Sequence, residues 1–197
     1  MDPLSVPLKE VDRVEVLTLM DNFVDVLLED TEVVTRPPKA VGEEIPTDTL
    51  LAEHGLCLLV KVQRGTEKHT ILFDTGYNNM GVLHNMDKLA VDPDEMEAIV
   101  LSHAHMDHTG SLQAILEKIS DPIPLVVHPD AFQYPRFFEQ KDGSKKRFPR
   151  TLVRSDLEER NVKILESRTP TPILDESILV TGEVERTTEF EKGMTNA

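Results

Sequence analysis

Apolar residues recur along the chain in short runs, and the spacing within each run predicts the element that it forms. Residues 14–19 alternate apolar and polar side chains and include β-branched residues, which is typical of a strand with one buried face. Residues 56–62 and 70–73 are apolar runs separated by a polar turn over residues 63–68. These two runs predict a hairpin that closes on Asp74-Thr75-Gly76.

The middle of the chain adds buried strands and one helical stripe. Residues 98–101 and residues 123–127 are compact apolar runs of strand length. Between them, apolar side chains follow the i, i+3, i+4, i+7 spacing of an amphipathic helix: Leu112, Ile115, Leu116 and Ile119. Strands that alternate with helices predict an α/β layered fold.

The remaining segments are predicted as loops and short elements. Residues 1–13 are an acidic, proline-containing lead that we expect to be flexible, and residues 14–197 are expected to form one domain. Residues 30–50 and 139–150 combine proline or glycine with many charges, so both are predicted as exposed loops. Three short elements complete the prediction, namely a helix over residues 94–97 and strands over residues 162–165 and 178–180.

The composition of the chain limits the kinds of partner that it can bind and predicts its cellular location. The 197 residues are 39% hydrophobic and 29% charged, which suits one globular domain with its own core. The net charge of −15 repels phosphate groups, so we expect neither nucleic acid nor an anionic membrane as a partner. The single cysteine, Cys57, lies in an apolar run and is expected to be an inert core thiol. With no secretory signal visible and no apolar run of about 18 residues, the expected location is the cytoplasm.

The segment that carries candidate chemistry is Ser102-His103-Ala104-His105-Met106-Asp107-His108-Thr109-Gly110. Imidazole nitrogen and carboxylate oxygen are ligands that zinc and iron accept readily. His103 and His105 are two apart in an extended stretch and face the same side, while Asp107 and His108 lie at the turn into the helix. The alternative is a histidine-rich surface turn without a ligand. The tight spacing after a buried strand favours a metal site, with one ion at His103 and His105 and a second near Asp107 and His108.

This His-x-His-x-Asp-His string (the HxHxDH motif) resembles the signature of the metallo-β-lactamase fold superfamily, and Ile71-Leu72-Phe73-Asp74-Thr75-Gly76 resembles its first motif. Softer strings are similar to one branch, which includes the dihydropterin–ribofuranosylaminobenzene phosphate synthases: residues 19–22, 52–56, 128–129 and 181–186. The resemblance runs over residues 14–194. It implies a four-layer αββα sandwich with a mono- or dinuclear metal site at its edge.

The resemblance also implies roles for individual residues. His103 and His105 would hold the first metal, and Asp107 and His108 the second. The metal would be divalent, zinc first, with iron or manganese as alternatives, present as one or two ions. Asp74 would orient a ligand or a bound water; its alternative is a turn-capping aspartate before Gly76.

The same metal site is compatible with more than one reaction. A metal-bound water would attack an ester, lactone or phosphoester of a small-molecule substrate, with Asp107 accepting a proton as the catalytic residue. In the synthase-like relatives the metal would instead organise a pterin-related transfer. Hydrolase and synthase therefore both stay open.

One departure from the family pattern is plain, because no histidine follows His128. The family adds further histidine and carboxylate ligands downstream, so we expect the sandwich to be incomplete at its C-terminal side. A catalytically incomplete fragment, a regulatory or binding protein, a homo-oligomer and a sheet-completing partner are the alternatives that follow. His54 and His128 are possible substrate-facing residues. The basic run at residues 145–147 with Arg150 could meet an anionic substrate or be a solvated loop.

Overall fold

The computed structural model describes residues 5–160 and 162–191. Its strands are β1 (Arg13–Met20), β2 (Cys57–Arg64), β3 (Glu67–Phe73), β4 (Ala98–Val100), β5 (Pro124–Val127), β6 (Phe137–Glu139), β7 (Lys145–Arg147), β8 (Lys163–Glu166), β9 (Thr171–Ile173) and β10 (Ile178–Val180). Its helices are α1 (Asn79–Lys88), α2 (Met106–Thr109), α3 (Leu112–Leu116) and α4 (Arg154–Glu159). Three short 3-10 turns lie at Pro93–Glu95, Pro129–Phe132 and Glu189–Glu191.

A six-stranded sheet in the order β1-β2-β3-β4-β5-β8 forms the centre of the molecule. The pairs β1–β2 and β2–β3 are antiparallel, and β3, β4, β5 and β8 run parallel. Parallel neighbours need a crossover, and α3 supplies one between β4 and β5 while α4 supplies the next before β8. The carboxyl ends of the parallel strands therefore meet at one edge, where the candidate residues follow β3 and β4.

The two faces of the sheet bury different sets of side chains, because successive residues of a strand point to opposite sides. Leu72, Ile99 and Leu125 pack on one face against α1, α3 and α4. Neighbouring residues of the same strands pack on the other face against the β9–β10 hairpin: Ile71, Ala98, Val100 and Val126. The described residues thus form a helix layer, the central sheet and a two-stranded second β layer.

The predicted α/β class is confirmed, and the second β layer does not reach β1 in the described part of the chain. Val14 and Val16 are 54% and 56% exposed. They pair with Val62 and Val60, so they lie on the sheet face that β9–β10 covers farther along. This exposed apolar corner is compatible with the predicted incompleteness of the sandwich. A homo-oligomer or a sheet-completing partner stays a prediction.

Most predicted strands are present, with shifted ends. The predicted hairpin is the β2–β3 pair, and its turn is shorter than predicted, at Gly65 and Thr66. The helical stripe forms only α3, and Ile119 packs against the core beyond its end. The helix predicted over 94–97 is a 3-10 turn at Pro93–Glu95.

The exposed loop predicted over residues 139–150 is wrong in part. Residues 137–147 form the β6–β7 hairpin, with Phe138 paired to Lys146. Its strands are largely polar and exposed, so they lack the alternation that identifies a strand. The loop over residues 30–50 is confirmed, with one isolated bridge between Val41 and Glu44.

The segment before β1 contacts the rest of the molecule through hydrogen bonds. Residues 5–12 form no helix or strand, although Lys9 N–H donates to the Glu176 carbonyl and Asp12 accepts from Gly65 N–H. Flexibility of residues 1–13 stays a prediction. The predicted limits at residues 194 and 197 lie outside the described residues. In the described part of the chain, no helix is long and apolar enough to cross a membrane.

Buried polar groups tie α1 to the sheet. Asn85 is 2% exposed, and its Nδ2 donates to the carbonyls of Leu19 (2.7 Å) and Leu51 (2.8 Å). Its Oδ1 accepts from Leu51 N–H at 2.9 Å. Cys57 is fully buried, and burial raises the pKa of its thiol well above the ordinary value, as expected of a core thiol.

Replacing Asn85 by Ala should lower the free energy of unfolding by about 1–3 kcal/mol, because the buried Leu19 carbonyl and the backbone groups of Leu51 lose their partner. Urea denaturation followed by circular dichroism measures the change. Asn79→Ala is the matched control, since Asn79 is exposed on the same helix. Equal midpoints for the two variants would contradict this role of Asn85.

Candidate functional site

The candidate residues gather where β3 and β4 end. Phe73 pairs with Val100 in parallel register, so Asp74 and the segment after β4 leave the sheet side by side. The Asp74 N–H donates to the Val100 carbonyl at 2.9 Å. Residues 102–105 form no helix or strand, and α2 begins at Met106. Topology alone therefore brings Asp74 to the histidine segment.

Asp74 is the buried carboxylate that connects the segments of the site. It is fully buried and sits in the left-handed region with φ of 59°. Its carboxylate accepts from Ser102 N–H (2.8 Å) and Ser102 Oγ–H (2.7 Å). It also accepts from His108 Nδ1 at 2.7 Å. These three donors compensate the burial of the carboxylate. Because a carboxylate accepts hydrogen bonds, the bond to Asp74 places the His108 ring proton on Nδ1.

The three imidazoles lie against one another. The ring centroids of His103 and His105 are 4.7 Å apart, and those of His103 and His108 are 4.2 Å apart. Desolvation, together with the neighbouring His108 and His105, lowers the pKa of His103 below its ordinary value. Neutral imidazole is the form that binds a metal, so the lowered pKa of His103 favours its ligand state.

Asp107 faces two further ring nitrogens. Its Oδ2 lies 3.4 Å from His108 Nε2 and 3.3 Å from His54 Nε2. His54 Nδ1 lies 3.0 Å from Asn22 Oδ1, an acceptor, which leaves Nε2 without a proton in the neutral ring. Two ring nitrogens therefore lie beside the Asp107 carboxylate. The structure places His54, predicted as substrate-facing, against Asp107, a contact that no spacing in the sequence indicates.

Two glycines let the surrounding loops close on this cluster. A Cβ added at Gly55 would lie 2.3 Å from the Asp107 carbonyl oxygen, and one at Gly110 would lie 1.8 Å from the Tyr77 carbonyl oxygen. Leu56 N–H donates to the Asp107 carbonyl at 3.3 Å. The loop before β2 thus lies directly on the start of α2, and the turn after β3 lies on its end.

The donor chemistry fits a divalent metal, although binding itself stays a prediction. Among residues 5–160 and 162–191, no three His, Cys, Asp or Glu side chains have donor atoms already placed around one ion. The set nevertheless combines neutral imidazoles with a carboxylate, and Asp74 orients His108 from behind as carboxylates do at metal sites. Asp74 therefore bonds a histidine of the cluster in addition to any capping of the turn, and its role beside a metal stays a prediction.

A cavity of about 440 Å³ opens beside the cluster. His54, His105 and Asp107 form part of its wall, and Phe138, Lys146, Arg147 and Phe148 form another part. The Phe148 ring stacks on the His105 ring at 5.6 Å with an interplanar angle of 17°. The β6–β7 hairpin and the residue after it therefore reach the site, which the sequence signalled only as a basic run.

His128 has a defined structural contact. Its Nδ1 accepts from Asp130 N–H at 3.1 Å, and its Nε2 lies 3.3 Å from Glu183 Oε2. Arg168 bonds both Asp130 (2.5 Å) and Glu183 (3.1 Å). His128 also lines a second, wider cavity with His103 and His105. The structural role is supported by these contacts, and a substrate-facing role stays a prediction.

Known proteins resemble this chain in sequence. Residues 51–193 match the family model of the metallo-beta-lactamase superfamily. The 7,8-dihydropterin-6-methyl-4-(beta-D-ribofuranosyl)-aminobenzene-5'-phosphate synthase of Methanocaldococcus jannaschii is 34% identical over 134 residues, covering 68% of this chain and 45% of that protein. An uncharacterized protein of the same organism is 29% identical over 140 residues, covering 71% and 50%. The chain spans about half the length of these two relatives.

Solved structures also match. An N-acyl homoserine lactone hydrolase with N-hexanoyl-L-homoserine bound at its catalytic metal center has a TM-score of 0.43 and 13% identity. The match covers 84% of this chain and 63% of that one.

Replacing Asp74 by Asn tests whether its carboxylate fixes the tautomer of His108. The amide presents an NH2 group to His108 Nδ1, so we expect the ring proton to move to Nε2. The free energy of unfolding should fall by about 1–3 kcal/mol, because a buried charged hydrogen-bond network is broken. Nitrogen-15 NMR of the imidazole ring reports the tautomer, and urea denaturation reports the stability.

Asp94→Asn is the matched control. Asp94 accepts the same pair of bonds, from Ser120 N–H (2.7 Å) and Ser120 Oγ–H (2.9 Å), at an exposed position before β4. This variant should leave the His108 tautomer unchanged. A proton retained on Nδ1 in Asp74→Asn would show that the carboxylate does not set the tautomer.

Proposed function

Because the chain belongs to the metallo-beta-lactamase superfamily, we propose that it is a metal-dependent hydrolase acting on a small-molecule ester, lactone or phosphoester. The observation that carries this proposal is the gathering of three imidazoles and Asp107 beside the buried Asp74–His108 pair. The proposal places the enzyme in the cytoplasm, on the support of a single, buried cysteine.

The metal ligands in this proposal are His103, His105, Asp107 and His108. Imidazole and carboxylate donors favour zinc, with iron or manganese as alternatives and one or two ions as the stoichiometry. When bound, such a cation lowers the pKa of a coordinated water and stabilises negative charge on a substrate oxygen. The lowered pKa of His103 and the bond that turns His108 Nδ1 towards Asp74 support this assignment.

In this proposal, Asp107, Asp74 and Phe148 have separate roles. Asp107 accepts a proton from the attacking water, since its Oδ2 lies at the convergence of His54 and His108. Asp74 keeps the His108 proton on Nδ1, away from the reacting centre. Phe148 covers the His105 ring and limits the access of bulk water from the cavity side.

A synthase-type transfer is the second candidate. The relative that is 34% identical over 134 residues carries the name of a phosphate synthase, and this specific similarity favours it. The same donor set would then orient two substrates rather than a water. Because the chain spans 45% of that relative's length, the activity of the whole protein is part of the proposal.

Metal content tests the ligand assignment. The protein should hold one or two equivalents of metal per chain, and the His103→Ala/His105→Ala double variant should lose them because ligand number sets affinity. Elemental analysis after size-exclusion chromatography measures this. A His69→Ala/His84→Ala variant is the matched control, since these histidines contact Glu97 and the Thr49 carbonyl. Stoichiometric metal in a folded His103/His105 variant would contradict the assignment.

Turnover separates the candidate reactions. A panel containing an aryl ester, a homoserine lactone and an aryl phosphate should show metal-dependent hydrolysis of at least one compound, lost on chelation and restored by zinc, iron or manganese. Asp107→Asn should lower kcat by about 100-fold or more, because a proton acceptor is removed. Metal retention without hydrolysis of any compound would favour the synthase-type candidate.

A further inference from the structure

His105 lines both cavities that open at the histidine cluster. Phe148 directly follows the β6–β7 hairpin and forms part of the wall of the smaller cavity. Arg136 directly precedes the same hairpin and forms part of the wall of the wider cavity. The two residues that flank the hairpin therefore belong to the two cavities that share His105.

The Arg136 side chain is bonded to the backbone between His103 and His105. Its Nη2 group donates to the carbonyl of Ala104, a residue that is 4% exposed. In the described part of the chain, no backbone N–H group donates to this carbonyl. A buried carbonyl needs a partner, and a hydrogen bond from a charged donor is stronger than one from a neutral donor. The guanidinium therefore holds the backbone at the point where it passes from one histidine to the next.

This guanidinium has no acidic partner among residues 5–160 and 162–191. By contrast, three other arginines each pair with a carboxylate: Arg154, Arg160 and Arg168. Burial lowers the pKa of Arg136 below its ordinary value, yet a guanidinium stays charged in a protein. In a chain with 36 acidic residues, a half-buried arginine that bonds a backbone carbonyl instead of a carboxylate indicates a role in fixing that backbone.

The main chain of Arg136 acts on the same histidine through Phe148. The Arg136 carbonyl accepts from Phe148 N–H at 3.0 Å. This bond extends the β6–β7 ladder by one pair beyond Phe137 and Arg147. The Phe148 ring stacks on the His105 ring, with 5.6 Å between the centroids and 17° between the planes. One residue therefore bonds the backbone beside His105 and also the backbone of the residue that covers its ring.

We propose that Arg136 is a positioning residue that holds His105, a predicted metal ligand, in one fixed orientation. The hairpin makes no ladder with the six-stranded sheet. Among the residues that the structure describes, the Arg136–Ala104 bond is the one hydrogen bond that joins residues 136–148 to residues 102–110. Its loss would release the base of the hairpin, and with it the Phe148 ring, from the histidine segment. The inference rests on the proposed function and adds a residue that acts through His105.

NMR of the imidazole protons in the metal-free full chain tests this contact without metal or substrate. The stacked Phe148 ring shifts the His105 ring-proton signals, and Phe148→Leu removes that ring, which calibrates the shift. Arg136→Met keeps an unbranched stem and removes the guanidinium. We expect it to move the His105 signals towards their positions in Phe148→Leu, because the hairpin base is no longer bonded to the Ala104 carbonyl.

Lys145→Met is the matched control within the same hairpin. Lys145 pairs with Glu139 at 3.7 Å and lines neither cavity. An exposed pair of this kind contributes little to stability. The control should therefore leave the His105 signals where they are in the wild-type chain.

Zinc affinity tests the consequence for the predicted ligand. Calorimetric titration of the full chain with zinc should give a dissociation constant about tenfold or more higher for Arg136→Met, since partners that orient ligands contribute about 10–100-fold to metal affinity. Arg136→Lys keeps a charged donor on a long stem and should recover part of the loss. Phe148→Leu should weaken zinc binding in the same direction, which keeps the test available if Arg136→Met does not fold. Circular dichroism checks the folding of each variant.

The outcomes separate this inference from the proposed function. Unchanged His105 signals in a folded Arg136→Met variant would overturn the inference, and so would a zinc affinity equal to that of the wild-type chain. Shifted His105 signals in Lys145→Met would overturn it too, because any disturbance of the hairpin would then act in the same way. A wild-type chain that binds no zinc would count against the proposed function, whereas the NMR comparison would still decide whether Arg136 holds His105.

Discussion

The buried carboxylate of Asp74 is the interaction on which the site depends. A charge with no exposed surface is tolerated only when donors surround it, and here the donors come from Ser102 and His108. One side chain therefore holds the end of β3, the segment after β4 and helix α2 in a fixed relation. The orientation of the His108 ring follows from the requirement to satisfy this carboxylate.

The second constraint is the close packing of the backbone of two neighbouring loops against helix α2. Gly55 and Gly110 bring the loop before β2 and the turn after β3 within contact of α2. This packing places His54 beside Asp107, although the two residues are far apart in sequence. The candidate site is thus assembled from three segments that meet at one edge of the sheet.

The sequence predicts those elements that leave a local pattern of apolar and polar residues. The apolar strands and the strand–histidine–helix order are readable because burial imposes a period on consecutive residues. Helix α1 was missed because its buried face includes Gly81 and Asn85, which break an apolar stripe. The β6–β7 hairpin was missed because polar, exposed strands carry no period. The contact of His54 with Asp107 depends on tertiary packing and has no sequence signal.

The β6–β7 hairpin has a consequence for how this protein can change. Its two strands form their own two-stranded sheet and make no ladder with the six-stranded sheet. The strand pairing of the six-stranded sheet therefore does not depend on the composition or length of this hairpin. The hairpin nevertheless lines the same cavity as His105 and Asp107. Exchanging this short surface segment would therefore change the wall of the cavity while the strand pairing beneath it stays the same.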